Sequence, residues 1–172
     1  MEQIYTYIDG EYYREQDAKI SIFDHIVHYG DGVFDTCCAI NGKIFKLDQH
    51  VDRFYRSAHA INISIPLSKQ EFKDAIIETV HRCKLQDAFI KPIVTRGVGP
   101  QPLLDPRNCK PSVIIIVRPY LYLVDRQKIE TGIKWKTSSI RRIPDQCLES
   151  KIKRLQLLKS RFDADGSIQC RG

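Results

Sequence analysis

Apolar and polar residues alternate from Ile4 to Ile8 ahead of an Asp9-Gly10 pair, and again from Val33 to Ile40 ahead of an Asn41-Gly42 pair leading into Lys43 to Phe45. A period of two puts successive side chains on opposite faces of a strand, and Asp-Gly or Asn-Gly supplies the positive φ of a tight hairpin. Two such signals so close together predict an antiparallel sheet. The period then changes. Val51, Phe54, Ala58 and Ile61 fall on one face of a helix that opens at an Asp48 cap and ends before Pro66. Ser68, followed three residues later by Glu71, is a capping box for a second helix whose apolar stripe is Phe72, Ala75, Ile76, Val80 and Cys83, up to Lys84.

Two further strands, Ala88 to Thr95 and Ser112 to Val117, flank a Gly97 to Pro111 stretch with two glycines and four prolines, which reads as a long loop. A polar connector follows Pro119, then a strand from Ile133 to Ser138 and a helical pattern from near Ser150 through Ile152, Leu155, Leu157 and Leu158. The fold class predicted is α+β. Residues 1–120 form a two-layer domain of antiparallel sheet and two helices, 121–132 a linker, and 133–172 the opening of an incomplete second α/β domain.

Composition narrows the function classes. With 172 residues, 42% hydrophobic and 28% charged, the chain can bury a core. Its longest aliphatic run, Val113 to Val117, is far too short to span a bilayer, and the start has no signal-like segment, so a cytoplasmic protein without membrane partners is expected. Six cysteines lack CxxC spacing and scaffold density, so they read as reduced thiols with no metal site. The net charge of +6 is concentrated late: ten of the 27 bases but only four of the 21 acids lie from Lys134 onward. That segment carries Trp135 and Phe162 but no stacking series, so nucleic acid is not an expected partner.

Three segments carry candidate chemistry. In Tyr29-Gly30-Asp31-Gly32-Val33-Phe34-Asp35, two glycines flank an acid just before a strand, which suits a sharp turn or a close backbone approach. His50 and Arg53 stand one helical turn apart on a shared face; Arg53 suits a phosphate through its planar fork, and a solvated surface equally well. Lys153 lies among the cations Lys151 and Arg154 and the apolar Ile152 and Leu155. Cationic and apolar surroundings make a lysine amine nucleophilic, and a basic helix surface has the same composition.

In their order these segments resemble the fold-type IV, or class IV, pyridoxal-phosphate aminotransferases, a group that includes branched-chain and D-amino-acid aminotransferases and aminodeoxychorismate lyase. The resemblance runs from Tyr5 to Leu158 through Ile8-Asp9-Gly10, Tyr29 to Asp35, Leu47 to Phe54, Val94-Thr95-Arg96-Gly97 and Ile152-Lys153-Arg154-Leu155-Gln156. It implies pyridoxal 5'-phosphate as cofactor, an amino acid and a 2-oxo acid as substrates, and a homodimer. Lys153 matches the Schiff-base lysine, since it alone, and not Lys151, keeps the isoleucine and leucine of the family's Ile-Lys-Ser-Leu-Asn. Arg53 matches the phosphate-gripping arginine, and Phe34, with Tyr29 beside it, the aromatic lining of the substrate pocket. Phe89 and Lys91, in Phe89-Ile90-Lys91-Pro92, stand where branched-chain members carry Tyr-x-Arg-Pro.

The departures are as informative. Pro100-Gln101-Pro102 replaces the Arg-x-His carboxylate trap of D-amino-acid members, and Leu104-Asp105-Pro106-Arg107 resembles the branched-chain branch. Arg154 and Gln156 replace serine and asparagine. The family's second domain supplies a glutamate for the pyridine nitrogen. Here Asp165-Gly166-Ser167-Ile168 resembles the approach to it, with Cys170 or Arg171 near its place. Little or no transaminase turnover is therefore expected of this chain. The alternative is a catalytically silent fragment acting as a folding or dimerisation module.

Overall fold

The computed structural model describes residues 4–100, 104–121, 130–132, 143–147 and 149–156. The expected strand at Ile133 to Ser138, and the expectations for Leu157, Leu158 and Asp165 to Arg171, lie outside the described residues. The elements run β1 (Tyr5–Ile8), β2 (Glu11–Arg14), α1 (His25–Tyr29), β3 (Gly32–Phe34), β4 (Cys37–Ile40), β5 (Lys43–Ile44), α2 (Leu47–Ala60), α3 (Lys69–Cys83), β6 (Ala88–Val98) and β7 (Lys110–Pro119). They form one antiparallel sheet in the order β2-β1-β7-β6-β4-β5, with β3 also pairing with β6. The α+β class is thus observed. The chain divides into two compact units, Met1–Tyr120 with Lys151–Leu155, and Leu121–Ser150 with Gln156–Gly172.

Both long helices cover one face of the sheet. Phe54 of α2 and Phe72 of α3 stack with centroids 4.8 Å apart, and both are fully buried with Ile76, Val33, Ile90, Val94, Ile115 and Val117. Removing these side chains from water is the main stabilising term of the domain. The Ser68–Glu71 capping box forms as expected. Burial drives the Cys37 thiol up to about 12 and also raises Cys83, so these are inert core thiols. No helix among the described residues is long and apolar enough to cross a membrane.

The structure corrects several local expectations. Helix α2 begins one residue before Asp48; its N-cap is Lys46, in the left-handed region, and Asp48 sits in the first turn. Helix α1, only five residues long, is too short to show a helical period. It is nonetheless well bounded, by Asp24, whose carboxylate accepts from the Ile26 N–H, and by Gly30 at φ 64. The expected strand from Val33 to Ile40 is split into β3 and β4. The segment from Ser150 to Gln156 contains no helix, because its backbone bonds instead to the free edge of β3.

Candidate active site

The split between β3 and β4 builds the site. β6 pairs with β4 at Ala88–Ile90 and with β3 at Ile93–Thr95. Pro92 lies between these pairings, where its carbonyl accepts from the Asp35 N–H at 3.0 Å. Its nitrogen points the same way, into the break, so the missing N–H costs no ladder bond in a central strand. Asp35 turns its side chain toward α2. There it accepts from Arg53 Nε and Nη2 at 2.7 and 2.6 Å and meets His50 Nδ1 at 2.8 Å. Asp35 is 1% exposed, whereas the Arg53 side chain is 42% exposed, so the arginine is held on one edge and open on the other.

Burial opposes ionisation of Asp35, but the hydrogen bonds from Arg53, His50 and the Thr36 N–H outweigh it and hold the carboxyl below its ordinary value. A lowered folded pKa contributes stability that is present above the unfolded value, near 4, and is lost as the pH falls through the folded one. Asp35→Asn is therefore expected to cost about 1–2 kcal/mol at neutral pH. It should also flatten the loss of stability below about pH 4. Denaturant unfolding as a function of pH reads both effects.

The other edge of β3 receives Lys151–Leu155. The Phe34 N–H donates to the Lys153 carbonyl at 2.8 Å, the Leu155 N–H to the Gly32 carbonyl at 3.0 Å, and Val33 faces Arg154 in an isolated bridge. The Lys153 N–H donates to Ser57 Oγ on α2 at 3.2 Å. Lysine 153 is thus anchored through its backbone. Its Nζ lies 4.8 Å from the centroid of the Phe34 ring, and Lys91 Nζ lies 5.0 Å from the same ring. No carboxylate among the described residues pairs with either ammonium.

Four of the residues singled out from the sequence therefore meet around one dipeptide: Lys153 and Lys91 at Phe34, and Arg53 at the adjoining Asp35. Phe89, half-buried and paired in register with Cys38 and Arg118, lies two residues from Lys91 on the same face of β6. Tyr29 ends α1, with its ring edge-on to His25 at 5.2 Å and tilted to His28 at 5.8 Å. The sequence reading assigned no role to Asp35 or Ser57, although Asp35 lay inside a quoted motif. The hint was a buried-strand pattern interrupted by an acid.

The resemblance is confirmed by comparison with known proteins. A family model for class IV amino-transferases matches residues 32–164. The chain is 44% identical over 155 residues to a putative branched-chain-amino-acid aminotransferase of Methanocaldococcus jannaschii, covering 90% of this chain and 52% of the relative. It is 38% identical over 118 residues to a chloroplastic D-amino-acid transaminase of Arabidopsis thaliana, covering 68% and 30%. The branched-chain aminotransferase of the thermophilic archaeon Thermoproteus uzoniensis, solved with norvaline, superposes with a TM-score of 0.85 at 25% identity, covering 98% of this chain and 57% of that one. The chain belongs to the class IV amino-transferase family. It spans about half the length of the first curated relative.

Proposed function

We propose that this chain carries the lysine-bearing part of a pyridoxal 5'-phosphate-dependent aminotransferase that moves an amino group between a branched-chain-like amino acid and a 2-oxo acid. The observation that carries this reading is Lys153, fixed by backbone bonds to β3 and α2 with its amine over Phe34 and no carboxylate partner among the described residues. The residues fit the cofactor. Arg53, held on its Nε and Nη2 edge by Asp35, keeps Nη1 for a phosphate oxygen. When bound, pyridoxal phosphate supplies an electron sink that acidifies the Cα–H of an amino acid.

The chain's own residues do the rest. Lys153 Nζ would hold the cofactor and would carry a proton to and from the substrate Cα. Phe34 and Phe89 offer apolar surface to a substrate side chain, and Lys91 offers an ammonium to a carboxylate. Ile20, Ile22, Phe23 and Val27 are 43–69% exposed within one short stretch of chain, and exposed apolar side chains this close in sequence support a homodimer.

Borohydride reduction after incubation with pyridoxal 5'-phosphate, followed by peptide mapping, is expected to place the pyridoxyl label on Lys153, and Lys153→Ala to remove it. Label on Lys151 or Lys91 instead, or spread over many lysines, would refute the assignment.

A further inference from the structure

Among the described residues, one buried side-chain nitrogen or oxygen has no hydrogen-bond partner: Nη1 of Arg154. Its position follows from the bridge between Arg154 and Val33. The flanking bonds, Phe34 N–H to Lys153 O and Leu155 N–H to Gly32 O, make this a directly opposed, non-hydrogen-bonded pair, whose side chains leave the same face of the sheet. Val33 is fully buried in the core beneath the helices. Arg154 therefore leaves on the helix side. The preceding N–H, that of Lys153, bonds Ser57, one turn of α2 beyond Arg53.

A guanidinium does not shed its charge, so an N–H group kept dry and unpaired is a costly arrangement. An oxyanion in contact with it removes that cost and matches the planar fork. No carboxylate among the described residues does so. A hydrophobic residue of similar length would fill the same space without the penalty.

We infer that Arg154 is the receptor for an oxyanion, the phosphate or carboxylate group of a small ligand, on the α2 side of the junction between β3 and Lys151–Leu155. The inference stands on the unpaired nitrogen, not on the cofactor reading.

The test is thermal unfolding of the full 172-residue chain at fixed ionic strength in chloride, titrated separately with inorganic phosphate and with acetate. The parent is expected to gain Tm saturably with at least one of them. A response to phosphate alone identifies a phosphate site, and a response to acetate one that accepts carboxylates. Arg154→Met should weaken the responsive anion by about tenfold or more, while melting no lower than the parent without anion. Arg154→Lys, which keeps the charge, should retain part of the response and guards against a folding defect in the methionine variant. Equal anion responses in Arg154→Met and the parent, or no saturable response in the parent, would overturn the inference. Pyridoxyl labelling of Lys153 in the same samples tests the cofactor reading separately.

Discussion

Arg96→Met is expected to destabilise the domain by about 3–5 kcal/mol, roughly a 10 °C fall in Tm for a chain of this size. The guanidinium of Arg96 is nearly buried and satisfied on every side. Its Nε and Nη2 donate to Asp31 at 2.8 and 3.2 Å, and its Nη1 and Nη2 donate to the carbonyls of Asn62 and Ile61 at 2.6 and 2.7 Å. Those carbonyls lie just beyond the C-terminus of α2, where backbone acceptors otherwise lack partners. One side chain therefore ties the end of α2 to the loop before β3. Methionine keeps much of the packing but leaves a partly buried carboxylate and two carbonyls without their donor. Differential scanning calorimetry of the two proteins decides the matter; a shift under about 2 °C would show that Arg96 is a replaceable surface charge.

The second large effect is expected at Gly32. A Cβ there would lie 2.7 Å from the Val94 carbonyl oxygen, 2.9 Å from Leu155 Cδ1 and 3.2 Å from Ile26 Cδ1. Leu155 is able to rotate away, but the Val94 oxygen belongs to the β6 backbone and yields only if β3 moves. Gly32→Ala is therefore expected to cost about 1–3 kcal/mol. Because β3 and Leu155 hold the Lys151–Leu155 segment, the same change should loosen Lys153. Trypsin should then cleave after Lys151 and Lys153 faster than in the parent, and pyridoxyl labelling should lose its preference for Lys153. Unchanged cleavage rates in a destabilised variant would mean that the segment docks independently of Gly32.

These two residues mark where local and tertiary information part. The β1–β2 hairpin, α2, α3, β6 and β7 were all legible in the chain, because turn residues, capping pairs and hydrophobic periods act within a few residues of one another. The five-residue α1 was not, since its span is shorter than two helical turns. The motifs around Phe34, Arg53 and Lys153 were legible for a different reason: their order along the chain resembles a known family, and the comparisons confirm that family.

What the chain order did not contain was the partnership of distant groups. The break at Asp35 depends on Pro92 facing it from β6, and the charge on Asp35 depends on Arg53 and His50 from α2. The segment after Ser150 has a helical pattern of apolar residues, yet it runs along β3. Helical periodicity records only that Ile152 and Leu155 need burial; an unpaired strand edge satisfies their backbone as well as their side chains. Lys153 and Ser57, 96 residues apart, are joined only when that edge has formed. The sequence alone determined which residues were available to the site. The tertiary structure decided which of them meet, because hydrogen bonding to a strand edge and the pairing of buried charge depend on what lies across space rather than along the chain.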